Sequence, residues 1–426
     1  MANVSGAVQI ETGIKHGLSI PFQSVAGEQS IDVGTLLIIN MKASLIVAAI
    51  LGFVGFVTSF GAHVVVVNLP TYAKEVGIGL AYIGVLIAVY DFAEIIPKPI
   101  FGALGDHVGM KKTMLAGIVL FTIASILYPF INPQLLIVVR FLQGVGAAAL
   151  SAVSLALIGV YFKENRGKAY GIYNAIKGAG YVVSPVIGGA IVTQKDFSGI
   201  FYATAGVGVV AFLISVFLPD PRTQGKISLD DDGDFSLKKI LGVFRQRDLL
   251  PWYLIIVVNM FFVGILFGFL PVYIASLGYS PLNTGLLISV VAVSYLLVQP
   301  LAGMLADKID PAVTIRVGLI IAALSIILVP FTQGTSLGVL SIIVGIGVGT
   351  VWTNTDTLMS TLAKQGRLGE TMGVAGSFKE FGDMVGPLLI GLLSQFLGLK
   401  AGFIICGVLG LLSVGFILTN RKTASR

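Results

Sequence analysis

Eight charged side chains stand inside stretches that are otherwise apolar: Asp91, Glu94, Arg140, Lys177, Asp356, Lys379, Glu380 and Asp383. A charge at the centre of a bilayer costs about 3 kcal/mol on insertion scales, so each requires a partner, a wet cavity or a task. Carboxylates so placed suit proton carriage, and lysines suit the holding of carboxylates or anionic ligands. Asp91 and Glu94 share a helical face, and Glu94 with Lys98 has the favourable i,i+4 order. Lys379 and Asp383 repeat that spacing, with Glu380 between them. Lys177, flanked by Tyr173, Asn174, Gly180 and Tyr181, has no acid within four residues and is expected to face water, a distant carboxylate or an anionic substrate. Asp356, which follows Trp352 and Asn354, supplies the opposite sign. Those three residues, with Lys177, Lys379 and His63, form the candidate substrate cavity. Histidine as a class titrates near neutrality, although one near a helix end serves structure as readily. Arg140 either positions a proton-carrying carboxylate or ties two helices together. With Asp91, Glu94, Glu380 and Asp383 it makes the candidate proton-coupling set.

The elements that must carry these groups follow from composition. Of 426 residues 56% are hydrophobic and 11% charged, against roughly 25% charged in average chains; mean hydropathy is +0.95. A soluble enzyme, a secreted disulfide scaffold, a disordered chain and a nucleic-acid binder are all excluded by that balance. Cys406 is the single cysteine, and His16, His63 and His107 lie far apart, so neither a disulfide nor a metal site is expected. Walking the chain with a ruler of about 20 apolar residues per bilayer helix gives twelve spans, near 44–67, 78–101, 111–131, 134–160, 166–193, 197–218, 250–275, 281–304, 312–331, 335–361, 369–396 and 399–420. The expected organisation is an N-terminal segment 1–43, a six-helix half 44–218, a linker 219–249, a second half 250–420 and a tail 421–426.

Charge bias orients the chain. With both termini cytoplasmic, Lys74, Lys195 and Lys400 fall outside and Arg140, Lys177 and Lys379 fall within spans, while every other Lys and Arg of the 27 lies on the cytoplasmic side or its helix ends. No cleavable signal precedes the first span. The expected location is the cytoplasmic (cell inner) membrane, with lipid, protons and a small molecule as partners and a monomer as the unit.

The halves repeat. Gly102 and Asp106 recur as Gly303 and Asp307 at an offset of 201, and Gly171, Lys177, Gly180, Ser184, Pro185 and Gly189 recur as Gly373, Lys379, Gly382, Gly386, Pro387 and Gly391 at an offset of 202. Six plus six related helices is the layout of a secondary transporter with its site near the midplane. The fold class is therefore all-α integral membrane, twelve transmembrane helices in two related halves. Gly144-Val-Gly146-Ala-Ala-Ala149 fits a dinucleotide fingerprint but follows no strand, so small-residue packing explains it. No phosphate-binding Gly-x4-Gly-Lys-Ser/Thr loop occurs, so the expected energy source is an ion gradient rather than ATP. Nothing forms a nucleophile–base or metal constellation, and the chain is read as a non-enzyme without cofactor.

The sequence resembles the major facilitator superfamily across essentially all twelve spans. Gly102-Ala-Leu-Gly-Asp106-His-Val-Gly109-Met-Lys111-Lys112 resembles its loop signature, with His107 and Met110 where arginine is common. Arg140-Phe-Leu-Gln143-Gly144-Val-Gly146 resembles the fourth-helix signature of proton-coupled members. Gly171, Gly180, Ser184, Pro185, Gly188 and Gly189 resemble the fifth-helix antiporter signature, with Ser184 for a glycine. What the resemblance implies is a proton-coupled exporter of drugs or small amphipathic compounds working by alternating access. The alternative is a proton-coupled transporter, for export or uptake, of an organic anion or metabolite held by pore lysines. It further implies that Gly102, Asp106, Gly109, Lys111, Lys112, Gly303 and Asp307 serve as a conformational latch. In that architecture the second and eleventh helices meet, so an ion pair between Lys379 and Asp91 or Glu94 is expected, unless each helix settles its charges locally.

Overall fold

A computed structural model describes residues 33–162, 166–194, 197–220, 249–306, 308–362 and 368–419. Within it α1 is Val33–Val76, and the second predicted span is two helices, α2 Leu80–Ile95 and α3 Pro97–Val108. Then follow α4 Met110–Leu127, α5 Leu136–Tyr161, α6 Arg166–Thr193 and α7 Phe197–Val216. The second half opens with another divided span, α8 Leu250–Gly268 and α9 Leu270–Ser276. It continues through α10 Pro281–Ala306, α11 Pro311–Leu328, α12 Gly334–Leu362, α13 Leu368–Leu397 and α14 Leu399–Thr419. Each expected span is thus helical, and α1 begins at Val33, inside the segment expected to precede the first span. The rest of that segment, residues 221–248 of the expected linker and the tail 421–426 lie outside the described residues, as does Asp307.

Nine stretches among the described residues are long and apolar enough to cross a membrane. The second, eleventh and twelfth spans are not among them. Pro97 ends the second early, because proline cannot donate to the carbonyl one turn back. The eleventh crowds Lys379, Glu380 and Asp383 into one turn and a half, and the apolar part of the twelfth, Leu399–Gly415, is shorter.

Packing builds two bundles and two seams. In the first half α1 lies on α6 and α4 on α5; in the second α8 lies on α13, and α12 packs against both α10 and α11. Across the halves the main contacts are α2 on α13 and α6 on α10. The shared apolar core includes Phe60, Leu86, Phe262, Phe269, Tyr273 and Phe403. In the first half Phe121, Leu150 and Tyr173 sit in a second buried cluster.

Between α3 and α4 the chain turns at Gly109, whose φ is +122° and whose N–H donates to the Gly105 carbonyl at 3.0 Å. A side chain there clashes with its own backbone, so Gly109→Ala should cost about 1–3 kcal/mol. Thermal unfolding in detergent measures this; an unchanged midpoint would mean the turn relaxes freely. Lys111 donates to the Val216 carbonyl at 2.6 Å, tying this turn to the end of α7.

Candidate transport pathway between the halves

The two seams are built alike. On α2 and α13, a methyl added at Gly84 would stand 2.5 Å from the Pro387 carbonyl oxygen, and one at Gly391 3.0 Å from that of Leu80. On α6 and α10, Gly285 abuts the Pro185 carbonyl and Gly189 the Pro281 carbonyl. Ser289 adds a hydrogen bond to the Val182 carbonyl at 2.6 Å. Proline and glycine thus act together: proline leaves its helix bent, and glycine lets the opposing backbone approach. All these contacts lie toward one end. At the other, where α1 starts and α14 finishes, a methyl at Gly102, Gly171 or Gly376 would meet nothing within 4 Å. The halves are clasped at one mouth and loose at the other.

Midway along the first seam lie the acids. Lys98 pairs with Glu94 on its own helical face and with Glu380 across the seam, there at 2.5 Å. Carboxylate oxygens of Asp91, Glu380 and Asp383 lie within 4.8 Å of one another, one from α2 and two from α13. Neither Asp91 nor Asp383 is ion-paired among the described residues.

The expected bond from Lys379 to Asp91 or Glu94 is not formed. Lys379 pairs instead with Asp356 of α12 at 2.6 Å and lies 4.8 Å from the centre of the Trp352 ring. Successive helical residues point about 100° apart, so Lys379 faces α12 while Glu380 faces α2. Among the described residues the charge pair that joins the halves is Lys98–Glu380. Asn354 is fully buried and, two residues from Trp352, points about 200° away; it does not join Trp352, Asp356 and Lys379 as a cavity residue.

Lys177 is half-buried and has no ion pair among the described residues. Its carbonyl accepts from the Ser59 hydroxyl at 2.7 Å. One turn further, Tyr181 meets His63 at 4.3 Å between ring centres. Phe267 lies 4.7 Å from His63, Tyr295 6.4 Å from Tyr181, and Trp352 5.3 Å from Tyr295. These rings come from both halves and form a continuous aromatic wall. Tyr181, Phe267 and Tyr295 were not among the expected site residues. Their signal is the repeat itself, since Tyr295 stands 201 residues after Glu94.

Arg140 is buried within the first half. Its guanidinium donates to Gln143 Oε1 at 3.0 Å and lies 4.3 Å from the Tyr90 ring centre. Gln143 also accepts from the Tyr128 hydroxyl at 2.9 Å and donates to the Ser125 hydroxyl at 3.1 Å. No carboxylate pairs with Arg140 among the described residues, and Tyr90, whose ring it covers, precedes Asp91 on α2. The glycine signature serves packing: Gly180 lies on Ser59, Gly188 on Asn68, Gly382 on Val257 and Gly386 on Phe261. Ser184 is fully buried beside them, and its hydroxyl has no partner among the described residues. In the latch segment Lys112 is exposed, a methyl added at Gly303 would stand 3.6 Å from the Thr353 side chain, and the Asp106 side chain lies outside the described residues.

This arrangement can be set beside known proteins. A multidrug resistance protein of Citrobacter koseri, MdtG, is 26% identical over 86% of this chain and 91% of its own. The riboflavin transporter RibZ of Clostridioides difficile is 27% identical over 63% of this chain and 69% of its own. The crystal structure of the nucleoside transporter NupG superposes with a TM-score of 0.75 at 11% identity, covering 88% of this chain and 99% of that one; it shares the fold. The sequence pattern described as Major Facilitator Superfamily matches residues 51–382 and again 253–426. Two related helical halves joined along two seams, matched over most of the chain, make this multi-pass membrane protein a transporter of the Major Facilitator Superfamily.

Proposed function

We propose that the chain exports drugs or other small amphipathic compounds in exchange for protons, as a monomer in the cytoplasmic membrane with both termini cytoplasmic. The observation that carries this reading is the group Asp91, Glu380 and Asp383, drawn from both halves within 4.8 Å. Like charges at that distance repel by about 3 kcal/mol at an effective dielectric of 20. Ionised, the group pushes α2 from α13; with a proton shared between Asp91 and Asp383, the seam closes. Proton occupancy therefore favours the conformer described here, clasped at one mouth and loose at the end that carries the termini. A proton taken from outside returns the carrier to the cytoplasm, where substrate enters and the proton leaves. The likeness to MdtG supports drugs as cargo, the basic bias supports the orientation, and no cofactor is required. In vesicles with an imposed pH gradient, adding substrate should drive protons against its own direction of travel; no substrate-dependent proton movement would overturn the reading.

Lys177 favours a second reading, transport of an organic anion or metabolite. An anion placed on Lys177, a half-buried cation with no ion pair among the described residues, removes a positive charge from the pathway that the acids share, so anion and proton would bind together and travel the same way. The expected result for Lys177→Gln is unchanged export of cationic compounds and loss of anion transport. Proton and substrate moving in one direction, with that loss, would decide for the second reading.

A further inference from the structure

The repeat places the two seams in equivalent positions but fills them with different chemistry. At an offset of 201, Asp91 and Glu94 of α2 and Lys98 at the start of α3 correspond to Ala292, Tyr295 and Gln299 of α10. At an offset of 202, Gly178 and Tyr181 of α6 correspond to Glu380 and Asp383 of α13. Where the α2–α13 seam has the Glu94–Lys98 ion pair, the α6–α10 seam has the uncharged Tyr295 and Gln299 at the same i,i+4 spacing. Where Asp383 faces Asp91, Tyr181 faces Tyr295 with ring centres 6.4 Å apart. One seam can change charge at these positions; at the corresponding positions its counterpart carries no ionisable acid and places two tyrosines, with Lys177 next to Gly178 as its nearest charge on α6.

Resting on the export reading above, we propose that the seams divide the work, the α2–α13 seam carrying the proton and the α6–α10 seam binding the substrate as a flat aromatic ring. The neutral seam opens onto His63 and Phe267 on one side and Trp352 on the other. Edge-to-face and offset-stacked contacts favour ring centres 4.5–7 Å apart, and the spacings along this wall lie in or at the edge of that range. A planar ring system gains contacts with rings of both halves at once, whereas a saturated body of the same size gains only burial. Gly178, packed against Leu296 with 3.2 Å to a would-be methyl, keeps α6 and α10 close enough for one ring to touch both. The substrate so bound sits on the seam whose opening it must follow, while the proton acts on the opposite seam, so the two are coupled through the rigid halves rather than by direct contact.

The test uses equilibrium binding to the purified full chain in detergent, with acridone as the neutral planar probe and adamantan-1-ol as a saturated control. Expected is acridone binding with quenching of tryptophan fluorescence, weakened at least ~10-fold in Tyr181→Leu/Tyr295→Leu, consistent with the contribution of aromatic pairs beyond area burial. Adamantan-1-ol should bind more weakly than acridone and be indifferent to those changes. Gel filtration and the melting temperature establish that the double variant is folded; should it fail to fold, the single variants Tyr181→Leu and Tyr295→Leu each remove one ring from the same seam. Acridone affinity that ignores these variants, or that falls with Asp91→Asn instead, overturns the division. Acridone binding that follows the tyrosines in a protein that moves no protons refutes the coupling reading and leaves the aromatic site standing.

Discussion

Replacing Asp91 by Asn is expected to abolish substrate-driven proton movement, and Asp383→Asn to do the same. Each variant keeps the shape of the protonated acid and removes its charge. The α2–α13 seam then lacks the repulsion between Asp91 and Asp383, whose carboxylate oxygens lie within 4.8 Å, a difference of about 3 kcal/mol or roughly 100-fold in the balance of conformers. The variants should rest with the seam shut and no longer respond to external pH. Exchange of labelled for unlabelled substrate, which needs no net proton, should persist at a reduced rate. Glu380→Gln tests a different element, because Glu380 is held by Lys98 across the seam at 2.5 Å; it should weaken the joint between halves. Proton flux retained in both aspartate variants would place the coupling group elsewhere.

The second large effect is expected from bulk at the other seam. Gly285→Leu puts a side chain where the Pro185 carbonyl lies, with Val186 Cα 3.3 Å from even the first added carbon. Overpacking of this kind costs about 1–3 kcal/mol when the neighbour is side chain, and here the neighbour is backbone. The seam cannot shut at that mouth, so the carrier is held open there and transport stops. A cysteine introduced by Val186→Cys reports this directly: shielded in the parent background, it should become reactive to a membrane-impermeant thiol reagent when Gly285→Leu is added. Cys406 is buried and does not interfere. Full transport with unaltered labelling would show that these helices yield more than their packing implies.

What could be read from the chain reflects which forces are local. Scarcity of charge and the bilayer's demand for internal backbone hydrogen bonds set the spans, and the recurrence of Lys177 and Pro185 as Lys379 and Pro387 gives the two halves. The acids were visible for the same reason, since a charge in an apolar run has few innocent explanations. Partners were not. Lys379 and Glu380 are neighbours in sequence, yet one belongs to Asp356 and the other to Lys98, because about 100° of helical rotation sends them to different helices.

The aromatic wall was hidden more completely. Tyr181, Phe267 and Tyr295 are ordinary apolar residues of their own helices, and nothing local separates them from the packing residues around them. The sequence by itself determined the spans, the repeat, the scarcity of charge and the residues able to carry it, all of which follow from one-dimensional pattern and the cost of burial. Only the tertiary structure decided which charges meet, that one seam is ionisable and its counterpart aromatic, and which mouth is closed. Those depend on the rotation of each helix about its axis and on contacts between residues 23 to 282 apart, where small shifts in facing exchange one partner for another.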